Sequence, residues 1–536
     1  MSTELNDAVK KSTRGGFFLI SGGTLATVIM AAAAIFVGRF LGPEMYGDYN
    51  LAIVVPQIML LFTDLGVSIG VIRFASSQRF SSDMGHVMRI IRDGMTFRLL
   101  VGIAVLIPSL IFSEFFASVF INRPNLSFFV LLASTSILFQ VLFTTASSAF
   151  VGLDKAEYNA LINNIQAAGK TIVSIILVLL GFGIAGAVIG YVGGFVVAGV
   201  VGGLIFLRLT RTAEDRNHGG SYRQTFGALT TYGLPLYVST LVTGFLPLFS
   251  QITLAFFVSS AAVGNYRAAS NFVALISVIP TSITTAVLPG FSKLDSSTSE
   301  RIKIFFKRAN KYTSMLIMPV VVLLMLFSRQ VIEIIYGSTY ETAWLFLLLS
   351  CIGYLLVATG YLVLSSLFNG LDDTKTTLKM TLVNTVVFIV LAPIFASRYD
   401  VPGVIIASLL ASGITTMYGD YVAKKKFHVE FGIKASAKIY AVAGISTIPS
   451  FLLFYFAGSK SALILLLTGS IIYLIIYMTL IPLAKIITLD ELKSVNLVIQ
   501  NIKPLDKIAK PFVRYEKAIL RLRSNPSSEE HSNPPA

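Results

Sequence analysis

The chain reads as an all-α, polytopic membrane protein, and three observations carry that reading. Of its 536 residues, 55% are hydrophobic and 13% charged, with a mean hydropathy of +0.78, more apolar than a water-soluble globule tolerates. Apolar runs of about 20 residues, the length that crosses a bilayer, recur from residue 15 to residue 485. The polar breaks between them are too short to hold an extramembrane catalytic domain of about 100 residues. A soluble enzyme is excluded. With one cysteine, Cys351, and four histidines (His86, His218, His428, His531) in loops or the tail, neither a disulfide framework, a metal site nor a cofactor is expected.

The spans follow in order from apolar runs broken by Pro, Gly and charge. About fourteen are expected, centred near residues 27, 60, 107, 140, 170, 197, 242, 277, 323, 355, 386, 412, 447 and 473. An even number places both termini on one side. The net charge of +15 does not point to nucleic acid, because the cations sit in short loops rather than on one folded basic face. Sorting the 42 Lys and Arg residues by alternate loops puts 34 on the side of the termini and 4 (Arg39, Arg123, Arg398, Lys460) on the other. Short basic loops are retained in the cytoplasm, so the protein is expected in the cell membrane with both ends cytoplasmic. No short apolar core followed by a small-residue cleavage site opens the chain, so the first span is expected to be retained. Residues 486–536 are expected to form a basic amphipathic surface segment, interrupted at Pro504 and Pro511, and then a disordered end.

The sequence also repeats itself. SSAFVGLD (residues 147–154) recurs as SSLFNGLD (365–372) at an offset of 218, and YGDYNLA (46–52) recurs as VGNYRAA (263–269) at 217. GIAGAVIG (183–190) and DVPGVIIA (400–407) keep the same register. Six spans precede the boundary, an even number, so the copies share one membrane orientation and are related by an axis along the membrane normal. The expected architecture is two pseudo-symmetric six-helix lobes around a central cavity, residues 10–208 and 227–424, with two additional spans over 436–485. This is a transporter plan.

At this point the residues carry a family resemblance. RFLGPEMYGDYNLA (39–52), DLGVSIGVIRFAS (64–76), YGLPLYVS (232–239) and VGNYRAA resemble the polysaccharide transporter branch of the multidrug/oligosaccharidyl-lipid/polysaccharide (MOP) flippase superfamily. The resemblance spans roughly residues 10–485. It implies a flippase that turns a polyprenyl or dolichyl (pyro)phosphate oligosaccharide from the cytoplasmic to the outer face, without catalysis. Its partners would be the lipid-linked glycan, membrane lipids and glycan-assembly enzymes. Gln251 departs from the acidic residue that many relatives carry in the seventh span.

Such a substrate requires cations for its phosphate and polar or aromatic groups for its sugars, while its tail stays in lipid. Ionisable residues inside spans are costly and are therefore the candidates. Lys170 lies mid-span, with Asn163, Asn164 and Gln166 on the preceding turns. Arg267 lies about a turn and a half into the eighth span, with Asn271 four residues on. Arg98 sits near the cytoplasmic end of the third span, where snorkelling is the competing reading. Arg73 leaves the second span as part topological signal, part phosphate contact; Arg39, at the outer end of the first, either receives product phosphate or anchors the interface. Asp64, acidic and well inside a span, either pairs with a cation or titrates during transport, structural pairing being the favoured reading. GFGIAG (181–186) follows an apolar helix rather than a strand, so it is not a dinucleotide fingerprint. Two other readings compete: an ion-coupled multidrug exporter, which calls for an acidic cavity, and a glycan polymerase or ligase, which calls for a carboxylate cluster.

Overall fold

The computed structural model describes residues 2–77, 84–211, 222–294, 299–430, 432–456, 461–488, 491–492, 515–517 and 519–520, among which no strand occurs. Most of the expected basic tail lies outside the described residues, as do His218 and His531.

α1 (Ser2–Ala52) carries one non-helical residue, Gly42 (φ 73), followed by Pro43, which restarts the helix where its missing N–H costs nothing. The second span is a broken helix: α2 (Val54–Leu61) ends, the chain turns through left-handed Leu65 and Gly66, and α3 (Val67–Ser77) begins. α4 (Met84–Ile111), α5 (Ser113–Ile121), α6 (Ser127–Ser134), α7 (Ser136–Gly152), α8 (Ala156–Leu179) and α9 (Gly183–Arg211) complete the first half. The second half holds α10 (Tyr222–Phe257), α11 (Ser260–Ser292), α12 (Ser299–Leu326), α13 (Ser328–Tyr336), α14 (Ala343–Ile352), α15 (Tyr361–Gly370) and α16 (Thr374–Phe427). α17 (Ile433–Phe456) and α18 (Ala462–Leu483) follow. Their outward faces carry Ile445, Ile448, Phe451, Leu467 and Ile471, each more than half exposed, a surface suited to hydrocarbon and unfavourable in water.

Among the described residues ten helical runs are long and apolar enough to cross a bilayer, or twelve if each of two bent pairs is one crossing. The expected fourteen is not reached by this count. Gly22–Leu61 holds the spans expected near 27 and 60, and Thr374–Phe427 holds those near 386 and 412. Each joint is a single non-helical residue, Gly42 or Asp400, so the helical run continues where the sequence reading placed a boundary.

The sequence repeat is also a conformational repeat. Asp154 and Asp372 close their copies of the motif in the same left-handed conformation, φ 57 and 60. Both turns are tied alike, Lys155 N–H donating to Phe150 O and Asp373 N–H to Phe368 O at 2.7 Å. Gly183 and Asp400, 217 apart, also match at φ 53 and 52. The bent pairs correspond as well, Pro124–Ser134 with Ser136–Gly152 at 41° and Ala343–Thr359 with Tyr361–Gly370 at 51°.

Two compact units are present. The first comprises residues 1–271, 335–346 and 381–411, and the second 272–334, 347–380 and 412–536. In the first, Val67, Val71, Ile91, Phe150, Phe206 and Leu229 are buried together, locking α3 against α4, α7, α9 and α10. In the second, Phe291, Phe306, Leu364, Phe368 and Phe427 form the corresponding cluster.

Within the second unit, Asp373 opens α16 by accepting from Thr376 Oγ1 at 2.7 Å and from Lys426 Nζ at 2.6 Å. Burial alone would raise its carboxyl pKa, but the hydrogen bonds from Lys426 and Thr376 outweigh it and hold the group below the usual carboxylate range. A folded pKa below the unfolded one stabilises above that range and loses its effect as pH falls through it. The melting temperature of the parent should therefore exceed that of Asp373→Asn near neutrality. The difference should begin to shrink as pH falls below about 5 and vanish once pH has passed below the folded pKa, and should stay small throughout because Lys426 is half exposed.

Candidate functional site

The site grows from a close helix crossing in the first unit. A Cβ on Gly47 would lie 1.9 Å from Ser260 O, and one on Gly264 would lie 1.9 Å from Pro43 O. The register of 217 maps Pro43 onto Ser260 and Gly47 onto Gly264, so the contact is reciprocal, as a two-fold relation requires. Only glycine lets the two backbones approach this closely.

One turn further along each helix the equivalent side chains meet. Arg267 Nε donates to Asn50 Oδ1 at 2.9 Å across the same separation of 217, so duplication has left an amide in one copy and a guanidinium in the other. Asn271 donates to Tyr46 Oη at 3.0 Å and to Tyr336 Oη at 2.8 Å. α11 thus presents an i, i+4 pair, Arg267 and Asn271, to the i, i+4 pair Tyr46 and Asn50 of α1. Tyr336 packs on Tyr340 with ring centroids 5.0 Å apart, and the Tyr340 hydroxyl donates to Gly38 O.

Lys170, on α8, joins this group. Its Nζ lies 5.5 Å from the centre of the Tyr191 ring, within cation–π range, and Gln140 Nε2 donates to Tyr191 Oη at 3.1 Å. Tyr46 and Arg267 also lie within electrostatic range of Lys170. Among the described residues, neither Lys170 nor Arg267 has a carboxylate partner. Two cations within electrostatic range of each other in a low dielectric repel, and an anion bound near both would relieve that repulsion.

The other candidates lie elsewhere. Arg98 is 2% exposed and faces Asp64. Arg73 is exposed, its guanidinium 3.7 Å above the Tyr232 ring, and Arg39 is exposed and donates to Ile335 O at 3.1 Å. The expected polar stripe beside Lys170 is differently engaged: Asn163 donates to Asn159 O and Asn164 to Ala160 O and Gly22 O, while Gln166 is buried. Sequence reasoning did not single out Tyr46, Tyr191, Tyr336, Gln140 or Asn50. The repeat register could have pointed to Asn50, as the counterpart of Arg267; the tyrosines carry no local signal in an aromatic-rich chain.

Fold and site together define a multi-pass membrane protein with the helix arrangement of MOP superfamily transporters. The sequence profile of the polysaccharide biosynthesis protein family matches residues 12–295, more than half of the chain, and the protein belongs to that family. No curated protein sequence matches it significantly. Among solved structures, the lipid II flippase MurJ in an inward closed conformation aligns with a TM-score of 0.69 at 19% identity, over 87% of this chain and 99% of that one. An inward-facing multidrug resistance transporter of the MATE family, in the MOP superfamily, gives 0.62 at 19%, over 75% and 94%. A MOP superfamily transporter from Pyrococcus furiosus gives 0.54 at 18%, over 78% and 96%. At these identities the likeness establishes the fold.

Proposed function

We propose that the protein is a flippase that carries a lipid-linked oligosaccharide, on a polyprenyl or dolichyl (pyro)phosphate, from the cytoplasmic to the outer face by alternating access. The observation that supports this most is the convergence of Lys170 and Arg267 among tyrosines and amides. A phosphate taken from water into a low-dielectric site without a countercharge incurs several kcal/mol of desolvation. Two cations without carboxylate partners among the described residues supply that countercharge. A site for cationic drugs would have the opposite charge. The name of one structural neighbour, lipid II flippase, fits the same chemistry.

In this reading the bodies that move are the repeats, residues 10–208 and 227–424, turning about their shared axis. The reciprocal crossing at Gly47 and Gly264 is one seam between them. Both termini are cytoplasmic, so Arg73 meets the phosphate on entry and Arg39 on exit. Glycan-assembly enzymes would supply and consume the substrate, and the protein itself performs no covalent step.

Reconstituted vesicles test the proposal directly. A fluorescent oligosaccharide on polyprenyl phosphate should become accessible across the bilayer only in vesicles containing the protein, and a cationic dye should not be moved. Dye transport without glycolipid movement would overturn the assignment in favour of a drug exporter.

A further inference from the structure

We propose that Arg98 is a positioning residue: it clamps a preformed break in the second span and does not contact the substrate phosphate. The break is closed by hydrogen bonds on both sides. At the end of α2, Thr63 N–H and Thr63 Oγ1 both donate to Leu60 O, at 3.0 and 2.7 Å, and the Tyr237 hydroxyl donates to Leu61 O. At the start of α3, Ser68 N–H donates to Asp64 Oδ1 at 3.1 Å, so Asp64 caps the new helix. Between the two, Leu65 and Gly66 are left-handed, at φ 46 and 83. Here α10 presses backbone against backbone: a Cβ on Gly66 would lie 2.3 Å from Gly233 C, and one on Gly233 would lie 2.0 Å from Gly66 O.

Arg98 reaches into this break from α4. Its Nε lies 3.2 Å from Asp64 Oδ1, and Nη1 donates to Ser68 Oγ at 2.7 Å and Thr145 Oγ1 at 2.9 Å. Nη2 donates to Thr144 Oγ1 at 3.1 Å. A guanidinium has five N–H groups in a fixed fork; three donate to these hydroxyls, while Nε stays in ion-pair contact with Asp64 without a hydrogen bond. The side chain is 3% exposed, leaving little for a ligand. The partners are Asp64 within the break, Ser68 at the start of α3, and Thr144 and Thr145 on α7, so one planar group carried by α4 ties the break to α3 and α7. The clamp also adjoins the proposed site: Thr144 Oγ1 donates to Gln140 O at 2.8 Å, one turn from the amide that holds Tyr191 beneath Lys170.

A charge-neutralising cycle separates a clamp from a ligand contact. Asp64→Asn leaves the buried Arg98 charge, and Arg98→Gln the partly buried Asp64 carboxylate, without its partner, which is unfavourable, whereas the double variant leaves neither charge. Each single variant should lower the melting temperature by about 3 to 6 °C, and the double variant should recover at least half of the loss. In a Cys351→Ser background, a cysteine at Leu65 should react faster with a thiol reagent in either single variant and return towards the parent rate in the double. In the vesicle assay, Arg98→Gln should cut the maximal rate at least about tenfold with an unchanged apparent KM. Only that last measurement rests on the glycolipid proposal; if the parent moves no glycolipid, the melting and thiol cycles still decide the clamp. Loss of translocation through a raised KM in Arg98→Gln, with Asp64→Asn behaving as the parent, would overturn the clamp in favour of a phosphate contact. Additive melting losses would overturn it too.

Discussion

Replacing Lys170 or Arg267 with glutamine should reduce glycolipid translocation by about 10- to 100-fold while leaving the folded protein as stable as the parent. The magnitude follows from losing one of two countercharges. If each cation offsets on the order of 1.4 to 2.7 kcal/mol of phosphate desolvation during transfer, the rate falls by one to two decades. The stability expectation separates a ligand site from a structural ion pair. Breaking a buried pair destabilises a fold by several kcal/mol, but neither cation has a carboxylate partner among the described residues, and the two lie within electrostatic range of each other. Removing either relieves repulsion and gives up at most the cation–π contact with Tyr191 or the hydrogen bond to Asn50. Lys170→Arg should keep part of the activity, limited by the different shape of a planar fork where an ammonium sat. Vesicle translocation and thermal unfolding, measured on the same preparations, check both halves. Parental rates in both glutamine variants would remove these residues from the site.

Adding a single methyl group at Gly47 or Gly264 should be comparably damaging, and nearly equally so at the two positions. Each Cβ would sit 1.9 Å from a backbone carbonyl oxygen, and no rotamer change relieves a clash with backbone, so α1 and α11 must separate. Separation pulls Arg267 away from Asn50 and Asn271 away from Tyr46, opening the seam between the repeats. Gly47→Ala and Gly264→Ala should therefore each lose at least about tenfold in translocation, within about threefold of one another, because the crossing is reciprocal. A cysteine in place of Asn50, which is 3% exposed, should become reactive to a thiol reagent in the Gly264→Ala background. Gly413→Ala is the control: nothing lies within 4 Å of its Cβ position, and alanine there should be neutral or slightly stabilising in a helix. Parental translocation in both crossing variants would show that the seam tolerates separation and is not part of the cycle.

Hydropathy settled the class of the protein, because in hydrocarbon every backbone group must be satisfied within its own segment and only apolar helices of bilayer length do so. Duplication was equally legible: SSAFVGLD and SSLFNGLD end their helices in the same left-handed turn at Asp154 and Asp372. The span boundaries were less so, since a helical run passes through Gly42 or Asp400 with one residue out of conformation and no polar loop to mark it. The ionisable residues could be read off as candidates one at a time, because each is anomalous in an apolar run. Their grouping could not. Lys170 and Arg267 are 97 positions apart and meet only through helix packing, and Arg98 and Asp64 are joined across a break that no periodicity predicts. Burial and charge are local properties that leave their mark in composition. Which buried charge faces which is decided by the angles and registers of packed helices, and these come from close glycine contacts between segments distant in the chain.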